Sequence, residues 1–412
     1  MNAHIDIDPV TIERRLLSLA AYGAYEDTGV WRPVYSPAWS AAQGQVAAMF
    51  QGAGLKVKRD VVGNLWGQLE GSSGGPSIVS GSHIDSQLPG GRYDGALGIV
   101  AALTAIEALK DRYGTPKRTL EAVALCEEEG SRFPAANFWG SRAVIGHIRQ
   151  DEPHAITGYD GESMSEAMEA VGLDPGRVIE AARTDIGTFL ELHIEQGPLL
   201  EQANLPAAVV TAITGLRRYV VDVAGRADHA GAVPMDLRRD AMAGAVEIIH
   251  GVLDTARAMG RPAVTTVGRI AAYPNYPAIV PERVTFTVDA RHPDSRALAQ
   301  LYERHETLFR EVGSARDLAV TWKVPLDQPP VLCDPGLVAT LKDAANVVAV
   351  PILTLHSGAG HDTQVMATRR RVAMIFVRSQ GGRSHTPAEL TTAEDAAAGA
   401  RILAAALYAL AY

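Results

Sequence analysis

The chain runs to 412 residues, enough for two or three domains with substantial cores, and its 47% apolar and 21% charged content is that of an ordinary globular protein. Its 38 basic and 47 acidic side chains leave a formal net charge of −9 with no basic block, which argues against nucleic acid or an anionic membrane as a partner. Two cysteines, Cys126 and Cys333, exclude a disulfide scaffold; residues 1–9 lack a signal-peptide layout and no apolar run nears the roughly 18 residues of a membrane helix, so a soluble cytoplasmic protein is expected.

Residues 10–22 place Ile12, Leu16, Leu19 and Ala20 at the spacing of an amphipathic helix. Residues 29–40, with Pro33 and Pro37, read as a loop, and 41–53 as a second helix closed by Gly52 and Gly54. Residues 57–69 read as strands about a Gly63-Asn64 turn, followed by a loop at 71–76. Ile78-Val79-Ser80 is then a short strand leading into Gly81-Ser82-His83-Ile84-Asp85. A polar loop carrying Asp94 follows, and 96–110 is a helix with Ile99, Leu103 and Ile106 on one face.

The apolar strand 120–125 delivers Glu127-Glu128-Glu129. Adjacent carboxylates repel, and the end of a core strand is a poor place to leave them unpaired; a divalent cation is the economical partner. Alone, the run suits a solvated acidic turn better. However, a third apolar segment, 188–192, ends in His193-Ile194-Glu195-Gln196, and a fourth, 372–377, runs into Ser384-His385. Four strand ends with metal-competent groups are hard to absorb as solvated turns. Strands alternating with helices predict an α/β layer structure, in which ligands gather at the carboxyl ends of the strands.

Between 214 and 330 the pattern changes. Tyr219, Val221 and Val223 alternate as a strand, 236–259 is a helix, 263–270 and 284–288 are strands, 295–312 is a helix and 318–324 a strand. That β-α-β-β-α-β order predicts a ferredoxin-like α+β unit inserted into the α/β domain, because α/β patterning resumes at 336–350 and runs to the helix 391–411. The expected division is a catalytic domain of 1–213 and 331–412 around an inserted domain of 214–330.

Divalent transition metals in hydrolases favour imidazole and carboxylate ligands. His83, Asp94, one glutamate of 127–129, His193 and His385 supply five such groups from separate strand ends. A pair of metals about 3.5–4 Å apart needs a bridging carboxylate, for which Asp94 is the candidate. A glutamate beside a ligand glutamate is placed to act as general base.

The motifs GSHIDS, GGRYDGALG, EEEGSRF, ELHIEQGP, DHAGAVPMDLRRDA, SGAGHD and SHTPAE occur in that order between about residues 20 and 405. Together they resemble the hydantoinase/carbamoylase branch of the M20-type metal-dependent amidohydrolases. The resemblance implies a metallopeptidase-like catalytic domain with an inserted dimerisation (lid) domain, a homodimer, and two divalent ions per subunit (zinc, manganese, cobalt or nickel). It implies His83, Asp94, Glu129, His193 and His385 as ligands, with Asp94 bridging and Glu128 as general base. Gln196 matches a residue that contacts the ureido group, and His229 a histidine that stabilises the oxyanion across the dimer. Arg291 matches the arginine holding the substrate carboxylate; Gly360 and His361 lie in a loop near the substrate. Without the resemblance, Arg291 reads as a surface ion pair at a strand end.

The chain departs from the family at Ala278, where an asparagine that would bond the substrate usually stands; Asn275 is the candidate to compensate. The reaction expected is hydrolysis of a ureido C–N bond in a small carboxylate-bearing substrate. An N-carbamoyl-L-amino acid, giving amino acid, ammonia and carbon dioxide, is the first candidate. Allantoate is the alternative, favoured by Phe133-Pro134 and Phe138-Trp139-Gly140-Ser141. An aminoacylase or dipeptidase, and an inactive metal-stabilised binding protein, are further alternatives. A serine triad has no support, for no nucleophile-elbow pattern with suitable partners is present.

Overall fold

The computed structural model describes residues 5–412, so the start of the polar N-terminal stretch, residues 1–4, lies outside the described residues. The chain forms two units. Residues up to Thr211, Leu332–Leu355 and Ala359–Tyr412 make the first; Ala212–Val331 with His356–Gly358 make the second.

Four mutually parallel strands form the centre of a nine-stranded sheet, in the order Arg371–Val377, Ile186–Ile194, Ser77–His83 and Leu120–Leu125. They are buried almost throughout, as expected where both faces of a parallel sheet are covered. Antiparallel strands flank them: Ala207–Ile213 on one side, Leu65–Leu69 and then Lys56–Arg59 on the other. Lysines and an arginine on the outermost strand keep that edge from pairing further.

From Ser77–His83 the chain crosses by the helix Ala96–Tyr113 to Leu120–Leu125 on one side, whereas Ile186–Ile194 lies on the other. That reversal opens a crevice beyond the carboxyl ends of the strands. The helix sits close to the sheet because a Cβ on Gly98 would lie 2.5 Å from the Leu192 carbonyl oxygen, a space only glycine leaves. Helix Ala393–Ala411 packs beside it. Trp66, Val79, Val123, Phe189 and Val372 form a buried cluster of this unit.

In the second unit a five-stranded antiparallel sheet runs Val264–Thr266, Arg283–His292, Gly215–Ala224, Ala319–Gln328, with Ile270–Tyr273 also paired to Arg283–His292. Helices Ala241–Met259 and Ser295–Ala315 pack on it, and this is the ferredoxin-like order read from the sequence. Tyr219, Val221, Val223, Val284, Phe286 and Val288 point into the core with Ile248, Val252, Leu301 and Phe309. The intervening residues, among them Arg218, Asp222, Asp289 and Arg291, face the other way.

Several element limits differ from the sequence reading, each for a local reason. The second helix is Pro37–Gly52, not 41–53: Ser36 caps it and Pro37 stands at its first position, where a missing N–H costs nothing. The expected helix 236–259 begins at Ala241, capped by Asp240. The expected strand 263–270 splits into Val264–Thr266 and Ile270–Tyr273. Strands Ala207–Ile213 and Ile352–Ser357 had no counterpart in the reading.

Candidate metal centre

Each parallel strand delivers its polar residues to the same end of the sheet. His83 closes Ser77–His83, His193 lies one residue before the end of Ile186–Ile194, the glutamates follow Leu120–Leu125, and His385 follows Arg371–Val377. Asp94 precedes Gly95, which caps the helix Ala96–Tyr113 at φ 65°. A side chain on Gly95 would press to 2.6 Å from the His83 ring, so glycine is required on both counts.

Asp94 is the hub of the cluster. Its Oδ1 lies 3.2 Å from His83 Nε2 and 3.0 Å from His193 Nε2, and its Oδ2 lies 3.5 Å from His385 Nε2. His385 Nε2 is also 3.5 Å from Glu129 Oε1, and His83 Nε2 is 3.9 Å from Glu128 Oε2. The donors therefore divide into one group of His83, Asp94 and His193 and a second of Asp94, Glu129 and His385, with Glu128 beside His83 and Glu129. All are buried or nearly so except His385, whose side chain is 48% exposed.

The chemistry of this set fits a divalent cation. His83 Nδ1 lies 3.0 Å from the Asp85 carbonyl oxygen and His193 Nδ1 3.0 Å from that of Ile194. A carbonyl oxygen only accepts, so each Nδ1 carries the hydrogen and each Nε2 turns to Asp94. A neutral ring then aims a lone pair at a carboxylate oxygen, which is repulsive unless a cation lies between. Two ligand atoms about 2.0–2.1 Å from a tetrahedral ion stand roughly 3.4 Å apart, near the spacings observed.

The acid side of the cluster is equally strained. Burial opposes charging His83, yet Asp94, Glu128 and Asp85 hold its pKa well above the usual range. Burial and the nearby Asp94 push Glu129 up to about 8, and burial holds Glu128 and Glu127 well above ordinary carboxyl values. A dication would relieve the carboxylates and replace the proton between Asp94 and the imidazoles.

Within the glutamate triplet the geometry separates the members. Glu127, at φ 50°, turns its Oε1 back to accept from the backbone N–H groups of Arg132 and Phe133. Glu128 and Glu129 remain in the cluster, and their own N–H groups donate to Asp85. Gln196 donates from Nε2 to Asp94 Oδ2 at 2.8 Å and to Ser384 Oγ at 3.2 Å, while its Oε1 is buried without a partner among the described residues. The buried His361 packs its ring 4.6 Å from that of His193, and burial holds it well below the ordinary imidazole pKa. Gly360 lies beside Phe138 and Gln364, where a Cβ would meet both at 3.1 Å.

Two buried carboxylates escaped the sequence reading. Asp85 ties the His83 strand end to the glutamates through the two N–H groups just named. Glu389 accepts from the N–H groups of Tyr93 and Asp94, and its Oε2 lies 3.1 Å from Ser384 Oγ, whose hydrogen goes to Asp94 Oδ2 at 2.7 Å. Both sit in motifs already singled out, two residues after His83 and four after His385; a search for second partners of each ligand would have found them.

The remaining candidates belong to the second unit. His229 is exposed on a two-residue strand paired with Ile279–Val280, and its Nδ1 accepts from Gly231 N at 3.0 Å and Ala232 N at 3.1 Å. That leaves the hydrogen on Nε2, which is therefore a donor. Asn275 stands in the adjoining loop at φ 56°, and Ala278 contributes its carbonyl oxygen to Ala230 N. Arg291 bonds Asp289 Oδ1 through Nε at 2.7 Å and the Gly358 carbonyl oxygen through Nη1 at 2.6 Å. His229 and Arg291 lie toward opposite ends of the strand Arg283–His292, whose eight steps from Arg283 to Arg291 span about 26 Å.

The Peptidase family M20/M25/M40 model matches residues 79–409. The chain is 41% identical over 402 residues to an allantoate amidohydrolase of Escherichia coli (strain K12), covering 97% of this chain and 98% of the relative. It is 37% identical to an N-carbamoyl-L-amino-acid amidohydrolase of Paenarthrobacter aurescens, with 97% of each chain covered. Among solved structures, an amidase of the hydantoinase/carbamoylase family from Burkholderia multivorans superposes with a TM-score of 0.92 at 31% identity over 98% of both chains. No helix among the described residues is long and apolar enough to cross a membrane.

Proposed function

We propose, for a chain that belongs to the peptidase family M20/M25/M40 and is a hydrolase of amide-type C–N bonds, that it hydrolyses the ureido group of a small carboxylate-bearing molecule. The observation that carries this reading is Asp94, whose two oxygens face two separate donor groups. His83, Asp94 and His193 would hold one divalent ion; Asp94, Glu129 and His385 would hold a second. Bound there, the ions supply Lewis acidity toward the ureido carbonyl and toward the attacking water.

The protein's own groups do the rest. Glu128 Oε2, beside His83 and Glu129, takes a proton from the attacking water and passes it to the leaving nitrogen. Gln196 Oε1, buried and unpartnered among the described residues, accepts from a ureido N–H. His229 Nε2–H donates to the oxygen that gains charge, and Arg291 binds the carboxylate with its planar fork. Because His229 and Arg291 stand far apart within one unit, a small substrate would take them from two copies, which supports a homodimer with shared sites.

Of the candidate substrates, an N-carbamoyl-L-amino acid is the first reading, supported by a carboxylate-binding role for Arg291 and the 37% identity to an N-carbamoyl-L-amino-acid amidohydrolase. Allantoate is the second reading, favoured by the 41% identity to an allantoate amidohydrolase. Ammonia release from both, by chelator-stripped protein with and without manganese, cobalt, nickel or zinc, tests the proposal. Metal-restored release from either supports the ureido chemistry and selects the substrate; silence on both with metal bound overturns it.

A further inference from the structure

We infer that the cavity around Arg291 selects a dicarboxylate, and, resting on the reading that Arg291 takes the substrate's carboxylate, that the substrate is a ureido derivative of an acidic amino acid. Arg218 and Arg269 would receive the second carboxylate.

The cavity, of about 660 Å³, lies in the second unit and is lined among others by Arg218, Arg269, Thr287, Asp289, Arg291 and His356. The register puts these side chains on one face in neighbouring rows. Asp289 stands opposite Arg218 on one side and Thr266 on the other, Arg291 stands opposite Leu216 and Val264, and Thr287 N donates to the Arg269 carbonyl oxygen at 3.0 Å. Same-face residues of one strand are roughly 7 Å apart, a spacing that long arginine side chains readily close.

Charge decides what fits. Asp289 is the one carboxylate in the lining, and both Arg291 and Arg218 use it, at 2.7 and 3.0 Å. Arg269 has no ion pair among the described residues. His356 adds no positive charge near neutrality, because burial and then His292 lower its pKa. Three guanidinium groups against one carboxylate leave an excess of two positive charges. A monocarboxylate would compensate only one of them; a dicarboxylate balances both, and planar guanidinium is the natural receptor for each. The excess is local. The cavity toward the other end of the same strand offers one acid, Glu282, and one base, Arg283, which is itself paired to Asp222.

The test uses the metal-loaded enzyme with N-carbamoyl-L-glutamate and N-carbamoyl-L-aspartate against their near-isosteric amides, N-carbamoyl-L-glutamine and N-carbamoyl-L-asparagine, and against allantoate. The acids should exceed the amides at least tenfold in kcat/KM. Arg269→Met should erase that ratio through KM, and Arg269→Lys should keep most of it. A parallel reading needs no turnover: glutarate should raise the Tm of the wild type more than butyrate does, and Arg269→Met should lose the margin. Equal use of acids and amides, preference for allantoate over the diacids, or a glutarate margin that survives Arg269→Met each overturns the inference. An Arg269-dependent glutarate margin without turnover of any ureido compound supports the dicarboxylate pocket and removes the ureido reading instead.

Discussion

In the first unit the candidate ligands, all buried or nearly so except His385, touch one another at parallel strand ends; in the second, His229 stands on a two-stranded ribbon and Arg291 apart from it on the five-stranded sheet. The first arrangement is a preorganised charge cluster, whose backbone is locked by Asp85 and Glu389 before any ion arrives. The second has a donor whose tautomer is set by backbone N–H groups and a guanidinium whose carboxylate partner is local. Crowded carboxylates call for a cation; the second unit's candidates carry no such mutual strain.

The sharpest break in this comparison is Glu128→Gln. It should lower kcat by about 10³-fold, the range expected for a lost general base, while metal content by mass spectrometry stays near normal. Loss of metal together with activity would instead make Glu128 a ligand and shift the assignment within the triplet by one.

His229→Ala comes next, with a loss of about 10²-fold in kcat for a missing oxyanion donor and no change in metal content. Coexpressing Glu128→Gln with His229→Ala then separates the two units directly. If His229 serves the neighbouring copy, random pairing returns roughly a quarter of wild-type activity, since half the dimers are mixed and each mixed dimer has one intact site. No recovery would place both groups in one chain's site.

The same contrast explains what was legible in the sequence. Four buried parallel strands read clearly because continuous apolar runs end abruptly in polar residues, and the ferredoxin-like order was readable from the alternation at Tyr219, Val221 and Val223. The candidate ligands and a bridging place for Asp94 could be read from the sequence, but which donors gather at which of its oxygens could not, because that depends on which carboxylate oxygen faces which ring. Glu127 and Glu128 are neighbours of equal composition, and only the φ of 50° at Glu127 turns one of them away. Pro37 misled because proline signals a break in a helix interior yet suits a helix's first turn. Without the resemblance Arg291 reads as an ordinary ion pair, and it does pair with Asp289; its cavity, with Arg218 and Arg269, comes from strand register that spacing along the chain does not reveal.

Arg291→Lys gives a smaller effect than either catalytic change. An ammonium keeps the charge but loses the bidentate fork, so KM for a carboxylate-bearing substrate should rise about tenfold with kcat little changed. A fall in kcat with constant KM would mean that Arg291 acts on the reacting group rather than on the carboxylate.

One buried group in each unit should contribute to the pH dependence of stability with opposite sign. In the first, burial and then Glu191 raise Asp362 to about 8, so the folded chain keeps a proton that the unfolded chain releases, and stability falls as pH rises from the ordinary carboxyl range toward 8. In the second, burial lowers His305 to about 4, so between pH 6.5 and 4 the unfolded chain binds the extra proton and stability falls as pH drops. His305→Leu, of similar volume within the same apolar core, should remove roughly 1 kcal/mol of the loss between pH 7.5 and 5.5. Urea unfolding of both proteins at the two pH values measures it. An equal loss in the variant would mean that His305 is not the group through which acid destabilises the second unit.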